Sequence, residues 1–225
     1  MNNRRPCAVF VLWALVSLVV VSTGCRTQEE NLPDAPGAVV MNQQEQEAWE
    51  IALVEMRITK NEEFADSTRT PLPPEDLADF QGLNYFYPEP GLRFRTPLIA
   101  AAGTDTVVLV KGQGQKVPYL RRGLVRFRYR DRNYQLTVFG PVDTTGGDYL
   151  WLPFYDQTTG EKTYPGGRYL DLTVDKDGMV DLDFNYAYNP WCDYNPDQFN
   201  CTLPPPENRL PFAVEAGEQI FGTAH

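Results

Sequence analysis

The stretch VRFRYRDRNYQLTV, residues 125–138, decides the fold because apolar and polar side chains alternate on both sides of a turn signal. Alternation with a period of two is typical of a β-strand with one buried face. A two-residue turn at Asp131-Arg132 pairs Arg130 with Asn133 in an antiparallel hairpin. This register predicts that one face of the hairpin carries six apolar side chains: Val125, Phe127, Tyr129, Tyr134, Leu136 and Val138.

A second alternation, LDLTVDKDGMVDLDF, covers residues 170–184. A loop at 176–178, with Gly178 in the left-handed position, pairs Asp175 with Met179. The register then aligns three apolar pairs: Leu170 with Phe184, Leu172 with Leu182, and Val174 with Val180. On the other face it sets Asp171 opposite Asp183 and Thr173 opposite Asp181.

Directly opposed carboxylates repel each other, so this second hairpin requires a compensating charge. Solvent, a cation, or the arginine row Arg126, Arg128 and Arg130 would supply it, and cross-strand pairing of arginine with aspartate is the preferred prediction. The alternative is a calcium ion on Asp171, Asp181 and Asp183. The segment is not an EF-hand loop, because its glycine stands at the fourth position instead of the sixth. We expect no other cofactor.

Before these strands, residues 42–64 have a helical pattern. Asn42 and Glu45 form a predicted capping box, in which each side chain bonds the other residue's backbone N–H. The apolar stripe of the helix comprises Trp49, Leu53, Met56, Lys60 and Phe64, widened by Ile51, Val54 and Ile58. We expect this face to cap a sheet.

The whole pattern predicts a mainly β domain over residues 42–225: an antiparallel meander that forms a curved sheet, a sandwich or a partial barrel, with one long N-terminal α-helix. The predicted strands are 83–87, 92–100, 106–111, 124–130, 133–139, 148–155, 168–175, 179–185 and 212–218.

The first 24 residues have the pattern of a secretory signal peptide, with Arg4 and Arg5 before an apolar run at 8–21. Cys25 follows Gly24 as in a bacterial lipobox, although Ser22 replaces the usual leucine. We therefore predict lipidation of Cys25 and a bilayer anchor, followed by a flexible tether at 25–41; an ordinary signal peptide is the alternative. Arg26 favours the outer membrane, facing the periplasm, in a Gram-negative cell.

Composition excludes several functions. Residues 1–24 hold two of the 20 basic residues and none of the 30 acidic ones, so the processed chain has a formal charge of −12. Such a surface repels nucleic acid. The single histidine is His225, and Ser67 is the only serine beyond Cys25, which nearly excludes nucleophilic triads and imidazole-based metal sites.

The segment DFNYAYNPWCDYNPDQFNCTLPPPENR, residues 183–209, lacks any regular period but is rich in aromatic residues, asparagine and proline. Cys192 and Cys201 remain as an even pair after processing, which predicts a disulfide in an oxidising compartment. The segment offers polar and aromatic groups for a site: Asn185, Tyr188, Asn189, Trp191, Tyr194, Glu207, Asn208 and Arg209. The alternative is a pinned crossover whose Asn and Glu side chains satisfy buried backbone.

Several motifs together resemble domain of unknown function family 1684, a bacterial and archaeal family without an established activity. They are FQGLNYF (80–86), LPFYDQTTGEKTY (152–164), GRYLDL (167–172), DFNYAYNPWCDY (183–194) and CTLPPPENRLPFAVEAGE (201–218). The resemblance places these residues at signature positions: Arg168, Asp183, Asn185, Asn189, Cys192, Cys201, Glu207, Asn208 and Glu218. Because members are not all exported, free thiols or soft metal ligands are alternatives to the disulfide.

Three functional hypotheses follow. The first is a lipid-anchored envelope domain that binds a small polar ligand such as a saccharide, because aromatic rings stack on sugar faces and carboxylates bond hydroxyl groups. The second is a glycosidase-like hydrolase with paired carboxylates drawn from Asp183, Glu207, Glu215 and Glu218. The third is a structural envelope protein that docks a partner.

Overall fold

The computed structural model describes residues 34–143 and 149–222, without the side chain of Thr104. The predicted signal peptide and Cys25 lie outside the described residues. The compact unit described below begins at Ala35. Part of the segment predicted as a tether lies against this unit, since Arg128 N donates to Pro36 O (2.7 Å) and Val39 N donates to Arg93 O (2.8 Å). In the described part of the chain no helix has the length and apolar character needed to cross a membrane.

In the described part of the chain seven strands form two antiparallel sheets, which confirms the mainly β prediction. The strands are β1 (Arg93–Pro97), β2 (Ile99–Val110), β3 (Lys116–Tyr129), β4 (Arg132–Pro141), β5 (Leu150–Phe154), β6 (Arg168–Leu172) and β7 (Met179–Asp183). Strands β2 to β6 form a five-stranded meander in chain order, and β1 pairs with β7 in a separate two-stranded sheet. Side chains of both sheets share one hydrophobic core, with Phe94 and Leu182 from the small sheet packed among residues such as Phe127 and Leu152 of the large one.

The first hairpin has the predicted apolar face but a different register. Phe127 lies opposite Tyr134, and the turn residues are Arg130 and Asp131, which both have positive φ (48° and 60°). Such a turn is of type I′, whose twist matches that of the flanking strands. The predicted turn at Asp131-Arg132 is therefore wrong by one residue. The predicted strand pairing is shifted by two residues, since Phe127 was expected opposite Leu136. A shift of two leaves every side chain on its predicted face, so the buried face was predicted correctly.

The turn of the second hairpin is present as predicted, but the predicted pairing of its two strands is not. Val174 bridges Val180, and Asp175 N donates to Met179 O (2.9 Å), as predicted. Beyond this bridge the strands separate: β6 pairs with β5, and β7 pairs with β1. The predicted opposition of Asp171 to Asp183 is wrong, because Trp151 lies opposite Asp171 and Arg93 lies opposite Asp183. Thr173 likewise does not face Asp181, whose partner is Arg95.

The predicted helix is present as α1 (Gln43–Ala65), and its capping box is complete. Asn42 Oδ1 accepts from Glu45 N (3.0 Å), and Glu45 Oε2 accepts from Asn42 N (2.9 Å). Trp49, Leu53 and Phe64 are buried as predicted.

The widening of the apolar stripe of α1 was wrong. Ile51, Val54 and Ile58 are 59, 46 and 53 % exposed. At 3.6 residues per turn, these positions fall on a different side of the helix from Trp49 and Leu53.

The segments 83–87 and 212–218 were predicted as strands and are not. Tyr85 and Glu218 form an isolated bridge between them. Phe212, Val214 and Ala216 are nevertheless buried in the main core, which explains their strand-like alternation. Several of their backbone groups are bonded by side chains instead of a ladder, as described next.

Candidate functional site

Arg168, at the start of β6, is a fully internal residue with 1 % of its surface exposed. Its guanidinium pairs with Asp156 (Nη2–Oδ2 2.9 Å) and donates to the carbonyls of Val214, Ala216 and Glu218. We call this group the arginine clamp. Burial lowers the pKa of Arg168, and the Asp156 carboxylate opposes that shift. The clamp orders the irregular segment 214–218, because its donors take the carbonyls that a neighbouring strand would otherwise bond.

Glu218 is buried and has a partner on each carboxylate oxygen. Oε1 accepts from Lys60, and Oε2 accepts from Tyr194 Oη (2.6 Å) and Asn189 N (2.8 Å). Lys60 comes from α1, so the face of that helix expected to cap a sheet also supplies the counter-ion of a buried carboxylate. These contacts give Glu218 a role in joining α1 to the C-terminal segment.

The three signature asparagines bond backbone. Asn185 exchanges two bonds with Glu89 (N to Oδ1 2.7 Å, Nδ2 to O 2.9 Å). Asn208 binds the N–H and C=O of Thr137 and also donates to Pro153 O (2.8 Å). Asn189 donates to Asp193 and to Gln219 O (both 2.7 Å). All three are buried, so the geometry here is that of a pinned crossover.

Asp183 lies at the end of β7 and is also enclosed. Its Oδ2 accepts from Trp49 Nε1 (2.7 Å), and its Oδ1 accepts from the backbone and side-chain nitrogens of Asn185. Burial raises the pKa of Asp183, and these donors offset part of the shift.

Arginine–aspartate pairing across strands occurs as expected, but with different arginines. Arg93 lies 3.5 Å from Asp181, and Arg95 pairs with Asp175, so β1 supplies the compensating charges. The predicted row faces elsewhere; Arg128, for example, pairs with Asp131.

The candidate calcium ligands Asp171, Asp181 and Asp183 border one hollow between the two sheets, but they come from different strands and do not form a metal-binding group. Asp171 lies on β6 in the large sheet, whereas Asp181 and Asp183 lie on β7 in the small one. Within residues 34–143 and 149–222, no group of three or more His, Cys, Asp or Glu side chains is arranged to hold a metal ion.

The four carboxylates of the hydrolase hypothesis have separate partners. Glu207 is exposed and lies 3.6 Å from Arg121, and Glu215 is exposed and pairs with Lys162. Asp183 and Glu218 are buried in the two different environments given above. Arg209, next to Glu207 in sequence, stacks on the Tyr155 ring (4.4 Å).

Cys192 and Cys201 form a disulfide, which confirms that prediction. Trp191, which directly precedes the loop that the disulfide closes, meets Phe199 within the loop with their rings edge to face at 5.0 Å. Trp191 is 53 % exposed. Cys201 O accepts from Gly112 N (3.0 Å), so the loop is also tied to the turn between β2 and β3.

Between this loop and the outer face of the large sheet lies a cleft of about 660 Å³, which we call the aromatic cleft. Its floor includes Trp151, which stacks on Tyr119 (5.1 Å) and meets Tyr169 edge to face (4.9 Å). Further polar or aromatic residues that border the cleft include Lys60, Lys111, Tyr149, Asp171, Tyr188, Trp191 and Asn200.

Asp171 is the polar centre of the cleft. Tyr149 Oη and Tyr188 Oη both donate to its Oδ1 at 2.7 Å. Burial raises the pKa of Tyr188, so this phenol remains a donor. Among the described residues, both bonds to Asp171 end on Oδ1, and its Oδ2 is left as an oriented acceptor. The carboxylate is exposed and also borders two adjoining hollows, so a ligand can reach it.

Only some of the residues predicted from the sequence as site candidates border the aromatic cleft. Tyr188, Asn189 and Trp191 border the aromatic cleft, and Asp171 lies there with a role other than the predicted one. Tyr119 and Lys111 were not predicted as site residues from the sequence. The position of Trp151 follows from the alternation of its strand: in LWLPF the residues on either side of Trp151 point into the main core, so the indole lies on the opposite face.

These features define a mainly β domain with an aromatic cleft beside a disulfide-closed loop. The chain belongs to the protein family of unknown function DUF1684, whose sequence model matches residues 78–219. It is similar to the solution NMR structure of an uncharacterized protein from Haloarcula marismortui, with 36 % identity and a TM-score of 0.61 over 79 % of this chain and 97 % of that one. The comparison with curated proteins gave no match.

Proposed function

We propose that the domain binds a small polar ligand, a saccharide, in the aromatic cleft. The observation that carries the proposal is Asp171 Oδ2, an acceptor held in place by two tyrosines beside the Trp151 indole. Sugar rings have apolar faces that stack on aromatic side chains and hydroxyl groups that donate to carboxylates. A cleft of about 660 Å³ falls within the size range of small-molecule sites.

Binding is favoured over hydrolysis by the arrangement of the acidic groups. A glycosidase needs two carboxyl groups on opposite sides of the bond that it cleaves. Asp171 is the one carboxylate among the described residues that border the cleft. The four carboxylates considered for the second group have other partners: Glu207 pairs with Arg121, Glu215 with Lys162, Glu218 with Lys60, and Asp183 with Trp49.

The test of binding is titration calorimetry of the full chain in detergent with a panel of neutral and acidic oligosaccharides. Asp171→Asn and Trp191→Ala should each weaken binding about tenfold, the loss of one polar or stacking contact. Tyr87→Ala is the matched control, because Tyr87 is an aromatic residue with 92 % exposure outside the cleft. Saccharide binding that is unaffected by both cleft variants, or no binding by any member of the panel, would contradict the proposal.

We further propose that the protein is a lipoprotein, anchored through Cys25 in the cell envelope and, in a Gram-negative cell, in the outer membrane facing the periplasm. The N-terminal pattern supports this location, and the disulfide agrees with an oxidising compartment. Metabolic labelling with a fatty acid, followed by membrane fractionation, tests it. Wild type should be labelled and sediment with membranes, whereas Cys25→Ser should be neither; equal behaviour of the two proteins would refute the anchor.

A further inference from the structure

One end of the aromatic cleft is formed by hydrogen-bond donors. Lys111 begins the turn after β2 and is bridged to Thr202, which places it beside the disulfide-closed loop. No ion pair or hydrogen bond of its ammonium group occurs within residues 34–143 and 149–222. Asn200 borders the same end, and its Oδ1 accepts from Gln113 N (3.1 Å). That bond orients the amide and leaves its NH₂ as a second donor.

The other cation in the cleft is already neutralised. Lys60 pairs with the buried Glu218 and lies over the Tyr188 ring at 5.2 Å. An anionic ligand group would therefore gain most at Lys111, because no carboxylate of the described residues pairs with its ammonium group.

The acceptor Asp171 and the donor Lys111 lie at opposite ends of the aromatic floor. Tyr119 Oη lies 3.2 Å from Thr202 Oγ1, next to Lys111, and its ring stacks on Trp151. Trp151 in turn lies directly across the β5–β6 ladder from Asp171. A continuous series of contacts through Tyr119 and Trp151 therefore connects the two charged groups, which border the same cleft.

We propose that the cleft recognises an acidic saccharide of the uronic-acid type. Its carboxylate pairs with Lys111 and Asn200, its hydroxyl groups bond Asp171 Oδ2, and the apolar face of its ring stacks on the exposed indole of Trp191. This inference rests on the proposed function and adds the charge of the ligand to it.

The test compares digalacturonic acid with its methyl ester, which keeps the same rings and hydroxyl groups but lacks the charge. Calorimetry with the full chain at low salt should show the acid binding about three- to tenfold tighter than the ester, as for one partly exposed ion pair. Lys111→Gln should remove this preference by lowering the affinity for the acid to about that for the ester. Lys176→Gln is the matched control: it alters net charge equally, at an exposed turn away from the cleft.

Three results would overturn the inference and leave the proposed function intact. The first is equal affinity of wild type for acid and ester; the second is a preference for the acid that persists in Lys111→Gln. In the third, neither probe binds but a neutral sugar does, so the charge assignment is wrong while saccharide binding stands. If no sugar of any kind binds, both proposals fail together.

Discussion

Strand β6 contributes to two polar regions with opposite properties, the arginine clamp and the aromatic cleft. Arg168 points to the inner face of the strand with Leu170 and Leu172, whereas Asp171 points to the outer face with Tyr169. The clamp is buried, and four acceptors bond its guanidinium. The carboxylate of the cleft is exposed and retains an unfilled acceptor.

This difference separates residues that maintain the fold from residues that can bind a ligand. A buried polar group must be satisfied within the protein, because leaving it unpaired costs a desolvation penalty of about 1–3 kcal/mol or more. An exposed group with a spare lone pair carries no such penalty and can exchange water for ligand. Most signature residues of the chain belong to the first kind; Arg168, Asn185, Asn208 and Glu218 are examples.

The largest effect is expected from Arg168→Met. The change leaves the buried Asp156 carboxylate without its counter-ion and frees three carbonyls, so the free energy of unfolding should fall by about 3–5 kcal/mol. Urea unfolding followed by fluorescence measures it. Arg95→Met, which breaks a half-exposed pair with Asp175, is the control and should cost less than about 1 kcal/mol. Similar losses of stability for the two variants would show that the buried arginine clamp contributes no more to the fold than a half-exposed ion pair.

The disulfide should come next. Replacing Cys192 and Cys201 together by serine opens a short loop of nine-residue separation, which lowers stability by about 2–3 kcal/mol in the chain-entropy model. Unfolding is measured with and without reductant. Reductant should destabilise wild type by the same amount and leave the double variant unchanged; a variant as stable as oxidised wild type would show that other contacts hold the loop.

Asp193, a partner of the buried Asn189, makes the stability of the folded protein depend on pH. Burial, together with the nearby Glu218 charge, raises the pKa of Asp193 to about 7. The folded state then holds a proton that the unfolded carboxyl, with a pKa of about 3.9, has released. Stability from this group is therefore complete below about pH 4 and is lost as the pH rises to about 7.

Asp193→Asn mimics the protonated form and keeps an acceptor for Asn189 and Phe221 N. Unfolding curves of wild type and variant should agree near pH 4 and separate progressively up to about pH 7, with wild type the less stable protein at the higher pH. Asp197→Asn, at an exposed position of the same loop, should give a pH profile parallel to wild type. Parallel profiles for Asp193→Asn as well would contradict the assignment.

The smallest stability effect should come from Asp171→Asn in the aromatic cleft. Its carboxylate is exposed, and an amide oxygen can still accept from Tyr149 and Tyr188, so the free energy of unfolding should change by less than about 0.5 kcal/mol. Thermal and urea unfolding measure the change. A loss above about 2 kcal/mol would show that Asp171 maintains the fold, as Arg168 does, and is not a residue reserved for ligand binding.

The sequence predicted local features well. The capping box at Asn42, the apolar face around Phe127 and the turn before Met179 depend on neighbours a few residues apart, and all three are present. The register of the first hairpin was wrong because shifts by two residues preserve the faces and differ only in turn geometry. Pairing β7 with β1 joins residues about 90 positions apart, and no local pattern specifies that choice.

The candidate site was predicted in part for the same reason. The loop near Trp191 was identified from its composition, since aromatic residues without a regular period suggest an ordered surface. That the loop faces Trp151 and Tyr169 on the sheet was not predicted, because these two residues have the pattern of ordinary strand residues. Only the covering of the outer sheet face by the loop makes a cleft between them.

By itself, the sequence determined which side chains share a face, where α1 begins and which two thiols can pair. These properties follow from short-range periodicity and from the cysteine count. The tertiary structure alone decided which polar residues are saturated and which retain a free donor or acceptor. Hydrogen bonding and burial depend on groups brought together from distant parts of the chain, so Arg168 and Asp171, three positions apart, acquired opposite environments.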